Sequence, residues 1–205
     1  ESYSADGNGA VVNFSFVPPT GGSALSAGAE ALARRALDAW ADVANITFVE
    51  GPGGITFRDD DDGAYNSNTT TGNGIILRSN LNVNETWNGS NLSVDSYTYQ
   101  TFIHEIGHAL GLGHAGPYNG SATYGQDNAY LNDSWAYTVM SYFDQGESNY
   151  FGDVRFVLGP QIADIIALQD LYGANTTTRS NDTVYGFNST ETDVHDFSQF
   201  TRAPS

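Results

Sequence analysis

The chain has 205 residues, 40% apolar and 13% aromatic, enough for a hydrophobic core and too many for a disordered segment. No run approaches the roughly 18 apolar residues of a membrane-spanning helix, and no cysteine is present, which excludes disulfides, thiolate metal ligands and cysteine nucleophiles. Its 24 Asp and Glu against 7 Arg, with no Lys, give a net charge of −17, which argues against nucleic acid or an anionic membrane as partner.

Val11-Val12-Asn13-Phe14-Ser15-Phe16-Val17 alternates and meets Pro18-Pro19, which predicts a strand with a hard stop. Ser23 to Asp42 is rich in Ala and Leu at helical spacing and predicts a helix. Ile46-Thr47-Phe48-Val49 and Ile55-Thr56-Phe57 read as short strands on either side of the Gly51-Pro52-Gly53-Gly54 turn. Residues 59–74 read mostly as loop, with a short strand at Ala64-Tyr65; Asp59-Asp60-Asp61-Asp62 lacks the spaced alternation of a calcium loop and reads as a solvated turn. Ile75-Ile76-Leu77-Arg78 is a further strand and Tyr97 to Leu110 a helix. Gly111 to Gly159 carries little periodic signal, and Ile162 to Tyr172 is a last helix stopped by Gly173. This order predicts an α+β fold in a single domain over 1–205. It divides into an N-terminal lobe of about 1–114 and a loop-rich C-terminal lobe of about 115–205 closed by a helix.

The informative stretch is His104-Glu105-Ile106-Gly107-His108-Ala109-Leu110-Gly111-Leu112-Gly113-His114. Residues four apart on a helix lie about 40° from eclipsed, so His104 and His108 share a face and can share a metal. Glu105 falls about 100° round the helix from His104, beside such a metal, where a base can take a proton from water. Gly111 and Gly113 permit a sharp turn that returns His114 to the same point. Three neutral imidazoles leave a tetrahedral zinc ion one open position, the arrangement of a catalytic site. The bland alternative is an amphipathic helix that happens to carry histidines. Three imidazoles buried together without a ligand would leave polar groups unsatisfied, which weighs against it.

The HExxHxxGxxH pattern resembles that of the metzincins, whose second signature is a methionine-containing turn. Tyr137-Thr138-Val139-Met140-Ser141-Tyr142 matches it, and Met140 is the sole methionine. The Met-Ser-Tyr ending, Thr101-Phe102-Ile103 before the first histidine, and Gly116 with Tyr118-Asn119 after the third resemble the serralysins. So do Ile162 to Asn175 and Thr177 to Ser189. The resemblance is dense from about Tyr97 to Ser189. It departs at Ala115, where serralysins usually carry proline, and it is to the catalytic domain without the C-terminal calcium-binding roll.

The resemblance implies a zincin-like fold with a twisted mixed sheet in the first lobe. It implies a secreted, extracellular zinc endopeptidase acting on protein and peptide substrates as a monomer. Its metal ligands would be His104, His108 and His114, and its general base Glu105. Tyr142 would serve as a fifth zinc ligand that swings away to bond the oxyanion, and Met140 would pack beneath the histidines. Calcium is a further implied cation, held in that family by backbone groups equivalent to Arg179, Asn181 and Thr183 and a partner loop beyond Ser205. The substrate is expected along an edge strand, either Ala64-Tyr65-Asn66 or Gly74 to Arg78. The side-chain pocket is expected from Phe143 to Leu158. His195 reads as a surface histidine, and Trp40, Trp87 and Trp135 receive no role. A zinc-binding module without catalysis ordinarily lacks the base, and Glu105 is present; a zinc hydrolase of another substrate class would share only the HExxH core.

Overall fold

The computed structural model describes residues 1–4, 6–16, 23–87, 89–148 and 152–200, so Val17, Pro18 and Pro19 lie outside the described residues. Strand β1 (Ala10–Ser15) buries Val12 and Phe14 and leaves Val11 exposed, the period-2 pattern of a sheet with one covered face. Helix α1 (Ala27–Val43) starts where Ser26 Oγ accepts the Ala29 N–H at 3.3 Å, and it buries Ala29, Leu32, Ala33, Ala36, Leu37 and Trp40 along one stripe. β2 (Ile46–Glu50) and β3 (Gly54–Arg58) do not form a hairpin. Both pair parallel with β1, which lies between them.

β4 (Ala64–Thr70) and β5 (Ile76–Val83) complete a mixed five-stranded sheet of order β2-β1-β3-β5-β4, in which only β4 runs antiparallel. β4 is therefore one edge of the sheet, β2 the other, and β5 lies inside β4. The strand read at Ala64-Tyr65 extends to Thr70, through Asn66, Ser67 and Asn68, of which the asparagines are poor strand formers. Cross-strand pairing with β5 from Ala64↔Val83 onward overrides that local preference.

Helix α2 (Tyr97–Ala109) is capped by Ser96 Oγ, which accepts the Tyr99 N–H at 3.1 Å. It packs on α1 through the shared core of Trp40, Phe102, Ile103 and Ile106, and Trp40 Nε1 donates to Ile103 O at 3.0 Å. Gly107 is required on this face by space alone: a Cβ there would meet Met140 Sδ at 2.6 Å and Trp40 Cζ2 at 3.1 Å. Helix α3 (Ile162–Tyr172) closes the chain's loop-rich second half, and Tyr172 Oη donates to Leu110 O at 2.8 Å, tying α3 to the end of α2. No helix among the described residues is long and apolar enough to cross a membrane.

The acidic run is less solvated than its composition suggests. Asp60 pairs with Arg58 at 3.2 Å, and Asn82 Oδ1 accepts the N–H groups of Asp60 and Asp61 at 2.8 and 3.2 Å. Asp61 and Asp62 are exposed, Asp59 and Asp60 half-buried.

Candidate metal centre and active site

α2 delivers His104 and His108 from consecutive turns of one face. The helix then stops at Leu110, and Gly111 adopts φ +106°, where a Cβ would lie 2.1 Å from Glu1 O. Only glycine takes that conformation in that space. The reversal returns His114 to the other two, and one ligand nitrogen from each ring lies within 4.8 Å of the others. Among the described residues this is the one such group of His, Cys, Asp or Glu.

Each ring is oriented by a backbone carbonyl. His104 Nδ1 meets Val139 O at 2.7 Å, His108 Nδ1 meets Leu112 O at 2.8 Å, and His114 Nδ1 meets Tyr118 O at 2.9 Å. A carbonyl only accepts, so every Nδ1 carries the proton and every Nε2 presents a lone pair. The Nε2 atoms of His108 and His114 stand 2.9 Å apart. Two lone pairs facing at that distance repel unless a cation lies against both, so this donor set fits a metal ion. Neutral nitrogen ligands with an open side are a zinc site of the catalytic kind.

Burial holds the rings neutral. It lowers His104 to about 3 and His108 to about 4, and it lowers His114 as well. Burial pushes Glu105 the other way, up to about 8. These shifts predict a pH optimum for the stability of the metal-free protein. Below the ordinary histidine value of 6.5 the unfolded chain takes up protons that the folded rings refuse, so stability falls with pH. Above the ordinary Glu value of 4.5 the folded state keeps a proton on Glu105 that the unfolded state releases, so this term falls as pH rises towards about 8. Three histidines outweigh one glutamate between those values. Thermal melts of metal-free protein are therefore expected to peak near pH 6.5 and fall on both sides, and the profile is expected to flatten when zinc is added.

Glu105 is 6% exposed, faces the same cleft as the histidines, and its Oε2 is buried without a hydrogen-bond partner. Such an atom is costly to strand, and a cation held by the three imidazoles would favour the ionised form of Glu105, which is suited to accept a proton from water. Tyr142 packs its ring 4.5 Å from that of His114, and its hydroxyl accepts the Gly120 N–H at 3.2 Å on the cleft rim. Met140 is 2% exposed and lies under α2 at Gly107. The turn carrying both is held from α3. Asp164, 2% exposed, accepts Thr138 Oγ1, the Val139 N–H at 2.8 Å and the Gln161 N–H at 2.8 Å. Val139 thus links Asp164 on one side to His104 on the other.

The matrixin family model matches residues 8–124, more than half of the chain. The chain belongs to that family. It is 40% identical over 195 residues to a serralysin of Photorhabdus sp. (strain Az29), which covers 83% of this chain and 38% of that one. Metallopeptidase AprA of Pseudomonas marginalis is 39% identical over 187 residues, covering 83% and 39%. Serralysin B of Dickeya chrysanthemi is 41% identical over 175 residues, covering 77% and 36%. The chain is a serralysin-like metzincin, and it spans less than two fifths of the length of these relatives. The fold is shared with high choriolytic enzyme 1, a hatching enzyme zinc-protease of the medaka Oryzias latipes, at TM-score 0.50 and 18% identity, covering 85% of this chain and 94% of that one.

In this matrixin the histidines lie at the floor of a cleft of about 980 Å³. One wall is β4 with Asp62 and Gly63 before it; the other includes Asn119, Gly120 and Tyr142. Beyond the metal centre, towards the start of α2, Trp87, Tyr97 and Trp135 form an aromatic wall, with Tyr97 6.0 Å from Trp87 and 6.1 Å from Trp135. The stretch from Phe143 to Leu158, where the side-chain pocket is expected, packs beside this wall through Phe156. Phe143 is buried against Tyr118 and Tyr124, and Phe156 backs Tyr97 and Trp135 rather than lining the cleft. Residues 149–151 of that stretch lie outside the described residues. Trp40 is core, while Trp87 and Trp135, given no role from sequence, stand at the cleft. His195 sits apart from the histidine cluster, bonded through Nδ1 to Asp193 at 2.8 Å.

Proposed function

We propose that the chain is the catalytic domain of a zinc endopeptidase, one unit over 1–205 whose lobes, about 1–114 and 115–205, flank the cleft. The observation that carries this is a buried, unpartnered Glu105 carboxylate oxygen in a cleft floored by three converging Nε2 lone pairs. His104, His108 and His114 hold the metal. Bound zinc supplies a Lewis acid for the scissile carbonyl and lowers the pKa of attacking water. Glu105 accepts the proton of that water and delivers it to the leaving amine nitrogen. Tyr142, on the rim beside His114, gives up the Gly120 N–H and turns its own O–H to the developing oxyanion. Met140 packs and does no chemistry. An extended peptide adds to the free edge of β4, the edge strand that lines the cleft.

Protein and peptide substrates follow from this cleft, and the net charge of −17 supports a monomeric protein that avoids nucleic acid. Secretion is proposed from the similarity to serralysins. Calcium is proposed at the backbone of Arg179, Asn181 and Thr183, where Arg179 takes φ +47° and pairs with Asp42 at 2.7 Å.

Casein hydrolysis with and without a zinc chelator tests the proposal. Activity is expected to vanish with chelation and to return on adding back zinc. Hydrolysis that survives complete metal removal contradicts it.

A further inference from the structure

β4 carries amides where a half-buried strand face ordinarily carries apolar groups. Asn66 and Asn68 alternate on its half-buried side, and Asn68 reaches α2 from there. Burying an amide costs free energy unless its polar atoms are bonded. Here they are bonded in series. Ser79 Oγ, fully buried on β5, donates to Asn66 Oδ1. Asn66 Nδ2 donates to Asn68 Oδ1 at 2.9 Å, and Asn68 Nδ2 donates to the backbone carbonyl of His108 at 2.9 Å. That carbonyl also accepts the Gly111 N–H at 3.0 Å, at the point where α2 gives way to the turn leading to His114.

We propose that Asn66 and Asn68 are positioning residues that hold the edge strand, and a peptide lying along it, in register with the metal centre; this rests on the peptidase reading above. The metal is placed by α2 and the turn after it, whereas the substrate backbone is placed by β4. Apolar contact between the two elements is non-directional and tolerates sliding. A hydrogen bond weakens steeply once its angle or length departs from ideal, so a series ending on a ligand residue's own carbonyl fixes the offset. A misplacement of about 1 Å at a reacting centre costs on the order of 100-fold in rate. Losing the series is therefore expected to lower kcat and to leave KM nearly unchanged, since the free edge of β4 remains available.

The test separates positioning from stability. Asn68→Leu strands Asn66 Nδ2 and is expected to lower both stability and kcat. Ser79→Ala/Asn66→Leu/Asn68→Leu leaves no stranded amide, so its stability is expected to recover towards wild type. Its kcat is expected to stay at least about tenfold down with KM within about twofold. Asn68→Asp, which keeps the shape and lacks the donor, is expected to lose kcat likewise. The visible absorption of the cobalt-substituted protein reads the metal geometry without turnover, and its bands are expected to stay as in wild type in each variant, because the imidazoles are held by the Val139, Leu112 and Tyr118 carbonyls and not by β4. Recovery of kcat together with stability in the three-site variant, or cobalt bands that shift in step with the loss of kcat, overturns the proposal. If the wild-type chain cleaves no peptide, the peptidase reading fails first, whereas wild-type cleavage with kcat unimpaired in the variants overturns this proposal alone.

Discussion

Glu105→Gln is expected to reduce peptide hydrolysis by about 10²- to 10⁴-fold while the protein still binds zinc as wild type does. The substitution is isosteric, and Glu105 is 6% exposed, so the packing around it is kept. What changes is chemistry. The buried Oε2 accepts no hydrogen bond from a protein group, which leaves it available to the water and the amine of the proposed reaction. A glutamine cannot take up and release that proton. The three imidazoles hold their orientation through Val139, Leu112 and Tyr118 carbonyls, none of which involves position 105. Zinc content by atomic emission and initial rates on a fluorogenic peptide check both halves. Wild-type turnover in a zinc-loaded Glu105→Gln protein would assign the base elsewhere.

Asp164→Ala is expected to destabilise the fold on the order of 3 kcal/mol, by stranding buried N–H and O–H donors at Gln161, Val139 and Thr138. The loss should also reach the metal, although Asp164 does not touch it. Val139 accepts from His104 Nδ1 and donates to Asp164, so freeing this turn unlocks the ring of His104. Zinc affinity is expected to fall about tenfold, the lower end of the usual effect of removing an orienting partner. Urea unfolding of metal-free protein and zinc competition titrations report the two effects separately. A stability change of only a few tenths of a kcal/mol would show that the turn is held by something else.

Why one half of this site is legible in sequence and the other is not has a physical basis. His104, Glu105, His108 and His114 lie within one helix and one turn, where spacing alone fixes who faces whom. The α1, α2 and α3 helices carry strong local signals, with Ser26 and Ser96 as caps and Gly173 at the last exit. β4 carries little beyond Ala64-Tyr65: the Asn and Ser residues that follow look like loop, and pairing with β5 makes them a strand. The same long-range pairing brings Asn68 to His108 across 40 positions. Asp164 reaches the methionine turn 25 residues away by the same kind of contact. The aromatic wall joins Trp87, Tyr97 and Trp135 from three separate segments, and no spacing rule connects them.

X-ray absorption at the zinc edge tests most directly whether His104, His108 and His114 together hold a zinc ion. Protein loaded with zinc is expected to show three imidazole nitrogens at about 2.0–2.1 Å together with oxygen. The imidazole count is expected to drop to two in His114→Ala. A spectrum fitted by oxygen alone, or one unchanged when His114 is removed, would contradict the account.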